Sequence, residues 1–259
     1  MTDSRSAVVG EVPETPRPLC WICNENEANS AEHKTKRSDL LAVLGRPPHD
    51  KSFFYNDLER RNLPVQGLNA KILKSPIRIC THCNSTRTQS HDRAWECMSD
   101  GLRARELKVG QWVRANRIFA YDTHRNMTNV QLFFVKLFGC MICEANANGP
   151  ALPIDIGAFS RSIMMGRAHP EVYLQFGKCD GIVGRSNLHC WTSDPGAVLT
   201  AWLYELDTIA VSVLFAQAGR WEHRADLWHP KSSISSRRFL IADFMYGRRA
   251  AKEPAQRMP

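Results

Sequence analysis

The chain has 259 residues, enough for about two domains with at least one sizeable buried core. Hydrophobic residues make up 43% and charged residues 23%, which excludes a disordered chain or a fibrous repeat. The 34 Lys and Arg residues against 26 Asp and Glu residues give a net charge of +8. This charge favours a polyanionic partner, although a basic balance alone points only weakly to nucleic acid.

The sequence predicts no membrane segment. The longest apolar stretch, Val130 to Cys143, contains Lys136 and is shorter than the ~20 residues that a bilayer requires. The first residues carry an acid and lead into Pro and Glu, without the apolar core of a signal peptide. We therefore expect a cytoplasmic, reducing setting, in which the nine cysteines are metal ligands or core residues rather than disulfides.

In chain order, the sequence divides into four segments. Residues 1–16 are polar and contain prolines, which predicts a disordered N-terminal tail. Residues 17–105 are polar, rich in basic residues and carry two close cysteine pairs. Residues 106–248 have the apolar texture of a packed domain, and residues 249–259 form a basic C-terminal tail.

The two cysteine pairs of the first domain are the strongest motif. Cys20 and Cys23 have the Cys-x2-Cys spacing, and so do Cys80 and Cys83. Each such turn brings two thiolates to one side of a knuckle, and two knuckles complete a tetrahedral zinc site. With all four positions filled the zinc would be structural, stabilising a segment without a large core of its own. His82 could replace one thiolate, but four cysteines are the simpler ligand set.

Further residues around these pairs create a more specific pattern. Glu32 and His33 lie between the pairs, and the second pair continues directly into Asn84, followed three residues later by Arg87. The combination resembles the HNH endonucleases, the ββα-metal or treble-clef nucleases. Their zinc-bearing members place an acid–His pair on a hairpin between two Cys-x2-Cys knuckles and continue as Cys-Asn-x-x-Lys/Arg into a helix. The match covers about a third of the chain, residues 17–105.

The resemblance implies a role for each matched residue. His33 would be the general base that activates water, since a neutral imidazole can accept a proton at physiological pH. Glu32 and Asn84 would ligate one divalent cation, Mg²⁺ or another, through hard oxygen atoms. Arg87 would stabilise the charge of the scissile phosphate. Taken singly, Glu32 and His33 would more often be solvated hairpin residues, and Asn84 a helix N-cap; their combination on a zinc knuckle favours the nuclease-type site.

The sequence departs from the family pattern in two places. The separation between His33 and Asn84 is long, so residues 45–74 are interpreted as an insertion. The family's middle asparagine, which braces the loop that holds the base, has no clear counterpart. Asn69 is the nearest candidate for this brace of His33.

Basic residues surround the matched positions and predict a DNA-binding face, where they would contact phosphates. The alternative for each is an ordinary solvated surface residue. Trp95 and Met98, at helical spacing, are expected to pack the following helix. The predicted DNA contacts are Lys34, Lys36, Arg37, Lys71, Lys74, Arg78 and Arg93.

The second domain is expected to be α+β. Apolar residues recur at helical spacing over 127–146, which predicts a strongly apolar helix. Residues 209–215 alternate as a strand does, and 172–176 and 239–242 are shorter strand candidates. These elements predict a long helix on a mostly antiparallel or mixed sheet.

The remaining cysteines and histidines are interpreted mainly as packing residues. A second zinc site from Cys140, Cys143, Cys179 and Cys190 is conceivable, but the first two lie inside the apolar helix, where free cysteine behaves as a small hydrophobe. Cys97 is also expected to pack. The histidines at 169, 189, 223 and 229 show no metal-binding spacing and are interpreted as structural.

The sequence thus predicts an α+β protein with an N-terminal zinc-stapled ββα-metal, HNH-like module and a C-terminal α+β domain. The leading hypothesis is a metal-dependent endonuclease hydrolysing DNA, with a structural Zn²⁺ and a catalytic Mg²⁺ or other divalent cation. The second domain would select the target or mediate dimerisation, so a homodimer is possible. The rival hypothesis is a non-enzymatic zinc-knuckle module that binds nucleic acid or protein. A third is an enzymatic C-terminal domain, but no catalytic set is recognisable there.

Overall fold

The structure is a computed structural model of the chain. It describes residues 18–46, 53–57, 60–193, 197–217 and 227–244. The two tails predicted at 1–16 and 249–259 lie outside the described residues, as do His223 and the part of the predicted insertion at 47–52 and 58–59.

The N-terminal half is built around a small antiparallel hairpin followed by a helix. Strands β1 (Ser30–His33) and β4 (Lys74–Ile79) form this hairpin, and helix α2 (Gln89–Arg103) follows it through a π-helical turn at His82–Arg87. The predicted insertion contains a second hairpin, β2 (Phe53–Tyr55) with β3 (Leu63–Val65), and a 3-10 turn at Lys71–Leu73. Helix α1 (Arg37–Leu44) begins directly after β1.

The β1–β4 pairing is irregular where it carries the predicted site. Ala31 pairs with Arg78, and His33 pairs with Lys74. From the first pair to the second there are two residue steps in β1 but four in β4. The extra residues are therefore in β4, and Pro76 lies among them. Pro76 has no N–H group to donate, so the ladder of backbone hydrogen bonds between the two strands is interrupted at this bulge. The bulge sets the directions of Glu32 and His33.

The C-terminal half contains a four-stranded sheet and two helices. Strands β6 (Val172–Arg185), β7 (His189–Ser193), β8 (Ala197–Ala216) and β10 (Ala242–Asp243) are ordered β10-β6-β8-β7, and every pair is antiparallel except β10–β6. Strand β5 (Trp112–Arg114) and β9 (Arg238–Leu240) form a separate antiparallel ribbon. Helices α3 (Thr123–Asn148) and α4 (Ile156–Met165) precede the sheet, and 3-10 turns lie at Ala115–Arg117 and Ser235–Arg237.

Helix α3 is the centre of the core. It runs at both ends beyond the predicted helix at 127–146, and its aromatic residues pack between α2 and β8. The ring of Phe134 lies 4.7 Å from Trp95 of α2 and 6.1 Å from Trp202 of β8, centroid to centroid. Among the described residues, α3 is the one helix long and apolar enough to cross a membrane, and 72% of its most apolar window is buried in the fold. Burial of this kind is also typical of a core helix.

The predicted fold class is confirmed at its coarser level: the protein is α+β with antiparallel sheets. The strand predicted at 209–215 is part of β8, and that at 172–176 begins β6. The stretch 239–242 is divided between β9 and β10. One continuous cluster of buried side chains extends from Cys20 to Ile241, so the two predicted domains share a core across residue 105.

Candidate functional site

Four cysteine sulfurs converge at the base of the β1–β4 hairpin. Cys20, Cys23, Cys80 and Cys83 are buried, and their sulfur atoms all lie within 4.8 Å of one another. The first knuckle is closed by backbone hydrogen bonds from Asn24 to Cys20 and from Cys20 to Asn26, with Asn24 in the left-handed region. In the second knuckle the Cys83 amide donates to the Cys80 sulfur. Four thiols at this spacing can hold a metal ion, and zinc suits such a ligand set.

Burial, neighbouring sulfurs and hydrogen bonds shift the pKa values of three of the four thiols. Burial, together with the neighbouring sulfurs, raises the pKa of the Cys20 and Cys83 thiols. Burial by itself would also raise the pKa of Cys23. Hydrogen bonds from the backbone amides of Asn26 and Glu25 outweigh this effect and lower the pKa to about 6. A divalent cation among the four sulfurs would hold all of them as thiolates. The donor type, burial and spacing of the site therefore fit zinc.

The first knuckle is docked against the helices of the C-terminal half. Trp21, between the two cysteines, lies so close to α3 that a side-chain carbon at Gly139 would approach its ring to 2.2 Å. The Ser160 hydroxyl of α4 donates to the Ile22 carbonyl at 2.6 Å. Gly139 is thus required by close approach of the knuckle rather than by its backbone conformation.

His33 ends β1 and is oriented by a backbone carbonyl from the predicted insertion. Its Nε2 lies 3.1 Å from the Leu68 carbonyl oxygen. Since a carbonyl only accepts, Nε2 must carry the proton, and the lone pair of the neutral ring lies on Nδ1. Partial burial lowers the pKa of His33, so the ring is neutral at physiological pH. Asn69, the sequence candidate for a brace, is exposed, and the contact to His33 comes from the residue before it.

Glu32 points the other way, into an interior charge cluster. Its Oε2 lies 3.1 Å from the Nζ of Lys136, a fully buried residue of α3. The same ammonium lies 3.0 Å from Oδ1 of Asp92 and 3.3 Å from the Thr88 hydroxyl. Burial alone would lower the pKa of Lys136, but the two carboxylates outweigh it and raise the pKa, so that the ammonium is retained. One oxygen of Glu32 is thereby engaged by a cation that the chain itself supplies.

Asn84 contacts the strand that carries Glu32. Its Nδ2 donates to the Ser30 hydroxyl at 2.8 Å, two residues before Glu32 in β1. With the amide nitrogen held in this way, the carboxamide oxygen is directed away from Ser30. The alternative interpretation of Asn84 as a helix N-cap does not describe this contact, because its side chain reaches the hairpin across the knuckle.

Arg87 lies one turn further along, at the end of the π-helical turn. It is half-buried, and its Nε has no hydrogen-bond partner among the described residues. A buried donor without a partner is uncommon in native proteins and is often explained by a bound water or ion. An anion near this guanidinium would satisfy it.

The predicted DNA-contact residues separate into three groups. Arg37, Lys71, Arg78 and Arg93 are exposed. Lys34 and Lys74 are half-buried. Lys36 differs, because its ammonium lies 3.6 Å from Asp92 and 3.4 Å from Glu96 of α2, and its backbone amide donates to the Tyr204 hydroxyl. This arrangement makes Lys36 part of the interior charge cluster.

Sequence reasoning missed the polar interior of the module. Asp39 is almost fully buried and accepts hydrogen bonds from Trp95, Tyr204 and Ser99. Burial raises its pKa even though these donors act in the opposite direction. One residue in the sequence indicated this polar interior. Lys136 lies inside an apolar helix, where a buried ammonium requires a carboxylate as its partner. Nothing in the local sequence identified Glu32 and Asp92 as its partners.

The other cysteines and histidines lie mainly in the fold's interior. Cys140 is buried, and burial raises its pKa to about 12. Trp95 and Met98 are fully buried, as predicted, whereas Cys97 is exposed, contrary to its predicted packing role. His169 and His229 are buried, and His189 is exposed. Within the described part of the chain, the four-cysteine group is the one cluster able to hold a metal through His, Cys, Asp or Glu.

Comparison with known proteins adds no relative to this picture. No family model, no curated protein and no solved structure matches the chain.

Proposed function

We propose that the protein is a metal-dependent HNH-type endonuclease that hydrolyses phosphodiester bonds of DNA. The observation that carries the proposal is the His33 ring, which ends the strand that begins near the second cysteine pair and is held by the Leu68 carbonyl with Nδ1 as its basic atom. A general base needs this combination of a defined tautomer and a pKa that leaves it neutral near pH 7. The order of knuckle, hairpin, knuckle and helix supports a treble-clef, HNH-like module held by a structural zinc ion.

In this mechanism Nδ1 of His33 takes the proton of the attacking water, while Nε2–H remains bonded to the Leu68 carbonyl. Arg87, which is half-buried, offers its guanidinium to the scissile phosphate and offsets the negative charge that builds up there. The exposed Arg37, Lys71, Arg78 and Arg93 hold the flanking backbone phosphates. The half-buried Lys34 and Lys74 flank His33 and add to the positive potential around it.

The catalytic cation would be held by the second carboxylate oxygen of Glu32 and the carboxamide oxygen of Asn84. Both are hard donors of the type that Mg²⁺ prefers, and the Asn84 amide nitrogen is already used by Ser30. When bound, such a cation neutralises charge on the phosphate and the departing 3′ oxygen. Lys136 holds the opposite oxygen of Glu32 and so orients the carboxylate.

The test is cleavage of supercoiled plasmid by the full chain in Mg²⁺ or Mn²⁺, with and without EDTA. His33→Ala is expected to reduce nicking by about 10²–10⁴-fold with zinc content unchanged, because the base is lost and the cluster is intact. His189→Ala, at an exposed histidine of β7, is the matched control and should cleave normally. Full activity in His33→Ala would remove this residue from the mechanism.

The pH profile provides a second readout. Because burial lowers the pKa of His33, the nicking rate should rise with pH through a value below the usual ~6.5 of histidine and then reach a plateau. The rate should be lost as pH falls, since a protonated imidazole cannot accept a proton. A profile that rises only above pH ~7 would contradict the assignment of His33 as the base.

A second candidate function is a non-enzymatic zinc-knuckle module that binds nucleic acid or protein. One observation favours it: Lys136 already neutralises the carboxylates of Glu32 and Asp92. In that case the wild-type protein would shift DNA in a gel but leave plasmid supercoiled at every divalent-ion concentration. A third candidate, an enzymatic C-terminal half, is supported by no feature of the described residues.

A further inference from the structure

The ribbon of β5 and β9 has one buried and one exposed face. Trp112 pairs with Leu240, Val113 with Phe239 and Arg114 with Arg238. Val113 and Phe239 are buried in the core, so alternation directs the other two pairs outwards. Trp112 is 47% exposed, and both arginines are exposed. An aromatic ring and two guanidinium groups therefore share the outer face.

The two arginines of this ribbon are directly opposite one another. Like charges at opposed positions of an antiparallel pair destabilise the sheet. The Arg238 guanidinium lies over the Trp112 ring at 4.7 Å from its centroid, which spreads its charge but does not neutralise it. A bound anion between Arg114 and Arg238 would relieve the repulsion.

A cavity of about 310 Å³ lies against the same face. Trp112 is its exposed aromatic wall, the nearly buried Tyr173, Trp228 and Phe239 contribute only small parts of their rings, and Lys231 and Arg238 supply positive charge. The Lys231 ammonium lies 5.8 Å from the centre of the Tyr173 ring. No carboxylate is present among the described residues that line it. A flat aromatic group next to an anion is the ligand chemistry that these walls fit.

We propose that this surface binds single-stranded DNA, with a base stacked on Trp112 in the cavity and a backbone phosphate between Arg114 and Arg238. Stacking on an exposed aromatic ring beside cations is how proteins hold unpaired strands without reading their sequence. A duplex base has its faces covered by its neighbours and cannot enter the cavity. The surface contains no residue of the His33 site, so strand binding here is separable from hydrolysis.

The test is fluorescence anisotropy of a labelled oligothymidylate with the full, zinc-loaded chain, without added Mg²⁺ or Mn²⁺ so that cleavage does not occur. Trp112→Ala is expected to weaken binding about tenfold or more, the usual effect of losing one stacking platform. Trp191→Ala removes a similarly exposed tryptophan from β7, outside the cavity, and should bind as the wild type does. His33→Ala should also retain binding, which distinguishes this proposal from the proposed nuclease activity.

Variants of Arg114 and Arg238 distinguish a role in binding DNA from a purely structural role. Arg114→Gln should raise the melting temperature of the free protein, because the repulsion with Arg238 is removed, yet weaken oligonucleotide binding. Arg238→Gln should weaken binding and reduce its salt dependence, whereas Arg237→Gln, at the neighbouring exposed arginine outside the cavity, should change binding little. Equal affinities for Trp112→Ala and Trp191→Ala would overturn the proposal. So would a wild-type protein that binds a duplex of the same length as tightly as the single strand.

Discussion

The two halves of the molecule bury very different side chains. The module around β1, β4 and α2 buries four thiols and a set of charges, including Glu32 and Asp39. The region around β6 and β8 buries mainly aromatic and aliphatic side chains, with Trp202 and Tyr204 among them. Apolar packing tolerates many sequences of similar volume, whereas each buried charge requires one particular partner. The candidate chemistry accordingly lies in the first half, where the demands on individual residues are strictest.

The largest expected effect comes from breaking the thiol cluster. Cys80→Ala, or removal of metal by a strong chelator, should unfold the module, because structural zinc contributes about 10–16 kcal/mol in small zinc domains. Hydrogen exchange should accelerate in β1, β4 and α2 before it does in β6 and β8. Cys190→Ala, at an exposed cysteine outside the cluster, is the control and should leave exchange unchanged. Uniform exchange in both halves after metal removal would show that the two regions do not differ in this way.

The next largest effect should come from Lys136. Lys136→Met leaves the buried carboxylate of Glu32 and the half-buried carboxylate of Asp92 without this ammonium and should lower the free energy of unfolding by about 3–5 kcal/mol. Adding Glu32→Gln and Asp92→Asn to this variant removes the unpaired negative charges. The triple variant should therefore recover much of the lost free energy of unfolding. Chemical denaturation measures both. A Lys136→Met protein as stable as the wild type would mean that this ion cluster is not a determinant of the fold.

Acid should destabilise the protein through buried histidines from both halves. Burial lowers the pKa of His91 and of His169 to about 4, against 6.5 when unfolded. The unfolded chain therefore binds protons first, so stability is lost as pH falls from about 6.5 towards 4, by up to about 3 kcal/mol per histidine. Melting temperature as a function of pH shows this slope. His91→Leu should flatten it, and His189→Leu, at an exposed histidine, should not.

The smallest expected effect is at the contact between the halves. Gly139→Ala would place a methyl group within the Trp21 ring and should cost about 1–3 kcal/mol through forced repacking. Trp21→Ala in the same chain makes room and should reduce that penalty. Gly149→Ala, at the end of α3, where the nearest contact is an ordinary 3.7 Å, is the control. No change in melting temperature for Gly139→Ala would show that the knuckle is not docked tightly on α3.

Local patterns in the sequence predicted the local features of the fold well. The spacing of the cysteines predicted the cluster, and helical periodicity predicted α3 to within a few residues. A hairpin carrying Glu32 and His33 was also expected from the matched motif, and β1 ends at His33. In each case the determining interactions are close in sequence or have a recognisable spacing.

Features that depend on distant residues could not be predicted. Leu68 acts through its carbonyl oxygen, which every residue possesses, so no sequence pattern marks it. Lys136 is far from Glu32 in the chain, and only the folded arrangement pairs them. Lys36 was grouped with the DNA contacts because it belongs to a basic run, yet packing directs its ammonium to Asp92 and Glu96.

The hydrogen bonds of Tyr204 limit how this protein can be divided or transplanted. Its hydroxyl, on β8, donates to Asp39 and accepts from the backbone of Lys36, directly behind the proposed catalytic strand. A shortened chain ending at residue 105 would lose this tyrosine together with Lys136. Glu32 would then lose its ammonium partner, Asp92 would keep Lys36 but lose Lys136, and Asp39 would lose one of its hydrogen-bond donors. The proposed catalytic module is therefore not expected to fold correctly by itself. A graft, fusion or shortened version has to include α3, which carries Lys136, and β8, which carries Tyr204.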